Sequence, residues 1–215
     1  MKSCPLCSVN KDPLSSANDY YRDNKRAYLQ CDQCGLVFVP ERYFLSMEDE
    51  KAIYDLHQNQ ADDPGYRKFL ARTVEPLLAQ VDKDGVGLDF GCGPGPTLSK
   101  MLAEKGILCS DYDPYYFNLP RLLEMQYDFI TMTEVIEHVS DPRLLFQRLD
   151  SMLKPGAVLA IMTKRIIGLE QFKTWHYKND PTHICFYSDE TFQRLAQRLN
   201  WRLEMVDKDV VFLYK

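Results

Sequence analysis

The sequence predicts an α/β fold with a doubly wound, mostly parallel sheet, and three observations support this. Short apolar segments typical of buried strands, such as residues 157–163, alternate with segments of helical periodicity. A glycine-rich turn at residues 91–95 joins a predicted strand to a predicted helix. Residues 201–206 and 210–214 instead form two predicted strands joined by a tight turn, so we expect the last strand to be antiparallel.

Two C-x-x-C pairs lie in the first predicted unit, residues 1–40. The pairs consist of Cys4, Cys7, Cys31 and Cys34. Four thiolates from two such turns can close a tetrahedral zinc site that leaves no open position for catalysis. Residues 20–22, 27–30 and 36–39 are predicted to be short strands, so we expect a small zinc ribbon folded by its metal. Redox pairs or unpaired thiols are the alternative interpretation.

Residues 41–81 are predicted to be largely helical and form the second unit, a helical linker. Ser46 is placed to cap the first helix, and Glu48 and Asp49 lie near the positive end of that helix. The remaining residues, 82–215, form the third unit, which carries the predicted sheet.

The glycine-rich turn has the pattern D-x-G-x-G-x-G, which runs from Asp89 to Gly95. It does not match the dinucleotide pattern G-x-G-x-x-G, because Pro96 stands where the third glycine would be. The pattern resembles motif I of the class I S-adenosylmethionine-dependent methyltransferases, which have a Rossmann-like sheet. The resemblance implies that the cofactor is held by Asp89, Gly91, Cys92, Gly93 and Gly95. A glycine turn that merely connects strand to helix is the alternative.

Two further segments resemble the same family. The predicted strand 107–113 ends in Tyr112 and Asp113, and the resemblance makes Tyr112 a cofactor contact and Asp113 the carboxylate that accepts hydrogen bonds from the ribose hydroxyls. The predicted strand 127–134 leads into T-E-V-I-E-H-V at residues 133–139, which is similar to the quinone-biosynthesis methyltransferases and places Glu134 near the methionine end of the cofactor.

The core is predicted to be shortened between its second and fourth strands. Only thirteen residues, 114–126, separate Asp113 from Tyr127, whereas the family fits a helix, a strand and another connection into this interval. We therefore expect the third strand to be shortened or missing. The residues that contact adenine cannot be carried over from the family; Glu124 is the only acidic residue in this stretch.

Histidines near the predicted strand ends are the candidate catalytic bases. Strand carboxyl ends line the site in doubly wound sheets, so His138 and His183 are both expected to face it. Glu137 is expected to orient or charge the site. The alternative is that these residues only hold their turns. A second metal bound by residues such as Glu134 and His183 is a further, less favoured alternative.

The resemblance also gives the predicted helices of residues 46–81 a possible role as a lid over the cofactor. It implies that Tyr54, His57 and Tyr66 contact cofactor or substrate. A surface helix with an incidental histidine is the alternative.

Composition is that of a globular enzyme, with 45% hydrophobic and 27% charged residues. No apolar stretch is long enough to cross a membrane and no signal peptide is apparent, so we expect a cytoplasmic protein. The net charge of −5 favours a small-molecule or protein acceptor over RNA, although basic residues in the ribbon keep a ribosomal or transfer RNA acceptor open. A binding module that has lost catalysis is the alternative of another class.

Overall fold

The computed structural model describes residues 3–7, 17–56 and 60–215 and confirms the α/β class. The strands are β1 (Ala17–Arg22), β2 (Ala27–Cys31), β3 (Val37–Phe38), β4 (Val86–Phe90), β5 (Leu108–Tyr112), β6 (Tyr127–Thr133), β7 (Leu153–Met162), β8 (Cys185–Phe186), β9 (Arg202–Met205) and β10 (Val210–Tyr214). The α-helices are α1 (Met47–Tyr54), α2 (Pro64–Leu78), α3 (Thr97–Ala103), α4 (Pro142–Met152), α5 (Leu169–Thr174) and α6 (Asp189–Leu199).

The main sheet has six strands in the order β5-β4-β6-β7-β10-β9. The first four are parallel, and β10 pairs antiparallel with both β7 and β9, which confirms the predicted closing hairpin. Successive residues of β6 face opposite layers, as a pleated strand requires. Phe129 packs in the core formed with α2 and α3, whereas Ile130 packs in the core formed with α4 and α6. Helices therefore cover both faces of the sheet.

The core is shortened as the sequence predicts. Residues 113–126, all of which the structure describes, hold an isolated bridge between Asp113 and Phe117 and a 3₁₀ turn at Pro120–Glu124, but no third strand. As a result β5 forms the edge of the main sheet.

In addition to Ser46, the sequence predicts that Asp141 and Ser188 cap helices, and all three caps are confirmed. Ser46, Asp141 and Ser188 accept hydrogen bonds from backbone N–H groups three residues further along the chain, at 3.1, 2.9 and 3.2 Å. Pro142 occupies the first position of α4, where its missing N–H costs nothing. Among the helices that the structure describes, none has the length and apolar character required to cross a membrane.

One boundary differs from the prediction. The sequence predicts that Lys154-Pro155-Gly156 separates α4 from a strand beginning at residue 157, but β7 begins at Leu153, directly after the helix. The pairing of β6 with β7 is irregular here, and Gly156 has a left-handed φ of 81°. The glycine lets the strand absorb this irregularity instead of ending there.

A second sheet contains the three short strands predicted within residues 1–40 and one strand from later in the chain. Its order is β1-β2-β3-β8, with every pair antiparallel. β8 lies between β7 and α6, so the main unit supplies the last strand of this small sheet. Residues near the cysteine pairs share one continuous apolar core with α4 and α6.

Candidate active site

A cavity of about 710 Å³ opens at the carboxyl ends of the parallel strands. This volume lies in the range of pockets that bind small molecules and cofactors. Residues that follow β4, β5, β6 and β7 line it, and α1 and α2 contribute Tyr54 and Tyr66. The cavity therefore lies where ligands bind in doubly wound sheets.

The glycine-rich turn forms one wall of the cavity and cannot accept a side chain at its first glycine. Gly91 has a φ of 80°, and a Cβ there would lie 2.5 Å from Cγ2 of Val135. The N–H groups of Gly91 and Cys92 donate to the Tyr112 carbonyl oxygen at 2.7 and 3.2 Å. Tyr112 thus holds the turn through its backbone, and neither it nor Gly95 lines the cavity.

The carboxylate of Asp113 ties this turn to the end of β5. Its Oδ2 accepts from the Gly93 N–H at 3.0 Å, and its Oδ1 accepts from the N–H groups of Tyr115 and Tyr116 at 2.8 and 3.2 Å. Two carboxylate oxygens offer about four acceptor positions, so one remains for a hydroxyl group of a ligand. Asp113 also lines the cavity, which is compatible with the ribose contact that the resemblance implies.

Asp89 lies beneath the turn instead of in the cavity. It is 4% exposed and accepts from the Thr131 hydroxyl at 2.7 Å. Burial raises the pKa of its carboxyl group to about 7. These contacts give Asp89 a supporting position under the turn, where it does not reach a ligand in the cavity.

Helix α1 covers the cavity next to the 114–116 segment. Glu50 accepts hydrogen bonds from the Tyr54 hydroxyl at 2.6 Å and the Tyr115 hydroxyl at 2.8 Å, and Asp55 accepts one from Tyr116 at 2.7 Å. These bonds join the predicted lid to the segment that replaces the third strand. His57, the other predicted lid residue, lies outside the described residues.

Glu134 and Thr133 line the cavity, and each has one buried side-chain oxygen that makes no hydrogen bond. Glu134 has a φ of 52°, a strained value for a residue with a side chain, and its N–H donates to the Met162 carbonyl. Its Oε1 and the Thr133 Oγ1 are buried without hydrogen bonds. Burial raises the pKa of Glu134 to about 7. Such orphaned atoms fit a polar ligand group, such as an ammonium, at this position.

Two histidines meet in the wall of the cavity. The rings of His138 and His183 lie 4.7 Å apart, centroid to centroid. The Nδ1 of His183 lies 2.7 Å from the Tyr177 carbonyl oxygen, and the Nδ1 of His138 lies 3.2 Å from the Thr182 carbonyl oxygen. A carbonyl only accepts, so the Nδ1 of each ring carries a proton.

His183 is held in its neutral form. Burial lowers its pKa, and the positive charges of Arg26 and Lys164 act in the same direction, whereas Asp180 opposes them. Its Nε2 lies 3.9 Å from the Asp180 carboxylate, beyond hydrogen-bond distance. This arrangement suits a general base at neutral pH.

Glu137 lies behind the histidines and does not line the cavity. It is fully buried and accepts hydrogen bonds from the Tyr177 hydroxyl and, at 3.1 Å, from the Thr163 hydroxyl. Burial and the nearby Glu134 raise its pKa to about 8. Glu137, His138 and His183 bring ligand-type atoms within 4.8 Å of one another, but both carboxylate oxygens of Glu137 already accept hydrogen bonds from the Thr163 and Tyr177 hydroxyls.

The four cysteines of the two C-x-x-C pairs meet in space. Their sulfur atoms all lie within 4.8 Å of one another, and those of Cys4 and Cys34 are 3.8 Å apart. The Cys7 N–H points to the Cys4 sulfur and the Gln33 N–H to the Cys31 sulfur, each at 3.4 Å. N–H groups directed at sulfur favour the thiolate form that a metal requires. The donor set therefore fits a tetrahedral zinc ion.

Several cavity residues were not anticipated from the sequence. Tyr115 and Tyr116 line the cavity, whereas Glu124, the only acidic residue of the 114–126 stretch, does not. Lys164 lines it too, with its Nζ 3.3 Å from the His176 Nε2. Lys164 follows the end of β7, and that placement was the one available signal.

Comparison with known proteins gives the family. A family model described as "Methyltransferase domain" matches residues 61–206. Two curated relatives are ubiquinone biosynthesis O-methyltransferases. The protein from Xanthomonas axonopodis pv. citri is 27% identical over 125 residues, which cover 47% of this chain and 49% of the relative. The protein from Dinoroseobacter shibae is 28% identical over 144 residues, which cover 63% of this chain and 56% of the relative. The chain spans about half the length of these relatives.

Solved structures share the fold. The 1,6-didemethyltoxoflavin-N1-methyltransferase of Burkholderia thailandensis, solved with S-adenosylhomocysteine, superposes with a TM-score of 0.54 at 15% identity and covers 93% of this chain and 99% of its own. An S-adenosylmethionine-dependent methyltransferase from Archaeoglobus fulgidus superposes with a TM-score of 0.54 at 17% identity, and the match covers 69% of this chain and 94% of that protein. The matched family model, together with the glycine-rich turn and the sheet order, establishes that the chain belongs to the class I S-adenosylmethionine-dependent methyltransferases.

Proposed function

We propose that this protein transfers the methyl group of S-adenosylmethionine to a hydroxyl group of a small molecule, with His183 as general base. The observation that carries the proposal is the hydrogen bond from His183 Nδ1 to the Tyr177 carbonyl, which leaves the basic lone pair on Nε2. The same cavity contains Asp113 and the glycine-rich turn, so base and cofactor share one enclosed space.

The cofactor supplies an activated methyl group on a sulfonium. The protein has to hold the acceptor oxygen in line with that methyl group and remove its proton. His183 Nε2 takes the proton, the oxygen forms the new bond to the methyl carbon, and the carbon–sulfur bond breaks to leave a neutral thioether. His138 lies against His183 and is placed as a second base or as a contact for the acceptor.

The cofactor positions follow from the cavity walls. Asp113 accepts from one ribose hydroxyl, and the 91–93 turn lies against the cofactor. The unpartnered oxygens of Glu134 and Thr133 receive the methionine ammonium. Tyr54 and Tyr66 contact the bound ligands from the side of α1 and α2. The sequence resemblance assigns the same role to His57. Glu137 acts through Tyr177 as a positioning residue.

The choice of a hydroxyl acceptor has support from the curated relatives, which are named as ubiquinone biosynthesis O-methyltransferases. The cavity dimensions also favour a small molecule over a protein or RNA acceptor. The net charge of −5 also argues against an RNA acceptor, because RNA phosphates are bound by basic residues.

We further propose that the four cysteines bind one structural zinc ion. With all four positions filled by sulfur, the ion would stabilise the fold of residues 1–40 and leave no site for substrate. The division into this ribbon, a lid at residues 41–81 and the catalytic unit at 82–215 remains part of the proposal.

Calorimetry with S-adenosylhomocysteine and a turnover assay test the function. The probe acceptor is 3,4-dihydroxybenzoate, with transfer of a radiolabelled methyl group as the readout. We expect His183→Ala to retain S-adenosylhomocysteine binding and to lose about 10²–10⁴-fold in kcat. His176→Ala is the matched control, since this histidine lies at the rim of the cavity. Failure of the metal-replete wild-type protein to bind S-adenosylhomocysteine would overturn the proposal and favour a binding module.

A further inference from the structure

Arg26 is a buried cation whose guanidinium binds the backbone of one turn of the chain. It precedes β2 and is 7% exposed. A guanidinium has five N–H donors, and the side chain of Arg26 makes five hydrogen bonds. The Nε donates to the Tyr28 hydroxyl at 3.3 Å, and the other four bonds go to backbone carbonyls.

The four carbonyls belong to the segment that carries the proposed base. Nη1 donates to Pro181 and His183 at 3.2 and 3.0 Å. Nη2 donates to Asp180 at 2.8 Å and to Lys178. The acceptors all lie within residues 178–183, more than 150 positions further along the chain. A planar fork can meet several carbonyls of one turn at once, which an ammonium group on a flexible stem cannot do.

The other contacts of the turn each hold a single group, such as the ion pair of Lys178 with Asp23 at 3.2 Å, whereas Arg26 binds four carbonyls at once. Within it, the His183 N–H reaches the Asp180 carbonyl at 3.3 Å, and Asp180 accepts from the Thr182 N–H at 2.9 Å. Burying a charged guanidinium costs several kcal/mol unless its donors are satisfied. The turn therefore has to keep its carbonyls directed at Arg26, and this requirement fixes its backbone.

The fixed backbone decides the state of His183. The Tyr177 carbonyl that receives the His183 Nδ1 proton lies at the start of this turn, next to the Lys178 carbonyl that Arg26 holds. We propose that Arg26 is a positioning residue that keeps His183 in the tautomer with its lone pair on Nε2. The inference rests on the proposed function, and it makes the segment between the two cysteine pairs part of the acceptor side of the active site.

The test reads the tautomer directly, without turnover. The chain contains four histidines, so the ring ¹⁵N resonances can be assigned by single substitutions. In the wild-type protein, Nε2 of His183 should have the ¹⁵N shift of an unprotonated nitrogen. In Arg26→Lys, which keeps the charge and loses the fork, the Nε2 shift should move toward the protonated value as the other tautomer becomes populated.

Two controls and one activity measurement make the result specific. Arg22→Lys changes an exposed arginine of the same hairpin and should leave the His183 resonances unchanged. S-adenosylhomocysteine affinity should be unchanged in Arg26→Lys, because the cofactor walls lie elsewhere. The kcat for 3,4-dihydroxybenzoate should fall about tenfold to a hundredfold, as expected for a misplaced base.

A gentler variant decides the matter if Arg26→Lys does not fold. Tyr28→Phe removes one acceptor of Arg26 and one donor to the Lys178 carbonyl, and should shift the same resonance by a smaller amount in the same direction. An unchanged His183 tautomer in the folded variants would overturn the inference. Loss of S-adenosylhomocysteine binding in the wild-type protein would instead overturn the proposed function, while the tautomer measurement would still stand.

Discussion

Replacing Gly91 with alanine should separate two costs, the strain of a left-handed backbone and the collision with a neighbour. The left-handed conformation costs an alanine about 1–2 kcal/mol, part of which is offset because the unfolded chain loses freedom. A Cβ at Gly91 would also lie 2.5 and 2.9 Å from the two methyl groups of Val135, well inside the usual carbon contact distance of about 3.5–4.0 Å. Overpacking of this kind costs about 1–3 kcal/mol. We therefore expect Gly91→Ala to lose about 2–4 kcal/mol of unfolding free energy.

The chain provides a matched control for the backbone cost. Gly106 has a φ of 81°, against 80° for Gly91, and a Cβ there would meet nothing within 4 Å. Gly106→Ala should therefore cost only the strain, about 1 kcal/mol. In the double variant Gly91→Ala/Val135→Ala the collision is relieved, so its cost should be smaller than the sum of the two single costs.

Urea unfolding and calorimetry with S-adenosylhomocysteine measure the two effects. A displaced 91–93 turn should weaken S-adenosylhomocysteine binding about tenfold to a hundredfold in Gly91→Ala and leave it unchanged in Gly106→Ala. Equal stability losses at Gly91 and Gly106, with cofactor affinity retained in both variants, would refute the steric reasoning and the assignment of this turn to the cofactor.

Three further predictions concern the buried acids and the cysteines. Asp113→Asn replaces one of the two oxygens that accept from the N–H groups of Gly93, Tyr115 and Tyr116. Calorimetry should therefore show S-adenosylhomocysteine affinity lower by about tenfold or more. Glu137→Gln should gain stability relative to the wild type, by up to several kcal/mol, as pH rises from about 4.5 to about 8. Because folding raises the pKa of Glu137, the unfolded chain releases this proton at a lower pH than the folded protein, which destabilises the wild type over this range. Glutamine has no such proton, so the variant does not lose this stability. A stability difference that stays constant with pH in denaturant titrations would contradict this. Cys34→Ser should abolish an equimolar zinc content by elemental analysis, whereas Cys185→Ser, a buried cysteine outside the cluster, should retain it.

Elements that depend on local chemistry could be predicted from the sequence. Ser46, Asp141 and Ser188 each cap a helix at the expected place, because a cap needs only a hydroxyl or carboxylate next to the first turn. The shortened core was also predictable, because thirteen residues cannot form a helix, a strand and two connections. The boundary at Leu153 was not, because Gly156 adopts a left-handed φ inside a strand, where the same residue type more often marks an end.

Contacts between distant segments could not be predicted in the same way. The sequence indicates that His183 lies near the site, but the atom that carries its proton depends on a carbonyl oxygen, which every residue possesses. The same limit applies to Arg26, whose partners are four backbone groups from the other end of the chain. No pattern of side chains records such an interaction. β8 illustrates it again, because a strand of only two residues completes the small sheet.

Burial has the largest effect on the pKa of His183 and lowers it, and two positive charges nearby add to this effect. Arg26 and Lys164 both lower its pKa, and only Asp180 raises it through charge. Lys178, a second buried cation in the turn, is paired with Asp23 of the ribbon at 3.2 Å. Arg26, which orders the turn, thus also disfavours a protonated His183 imidazole. A base must be both correctly oriented and unprotonated to accept a proton, and one arginine from the cysteine-bearing segment contributes to both conditions. This double contribution gives a physical reason for connecting the segment between the cysteine pairs to the methyltransferase core through a buried cation.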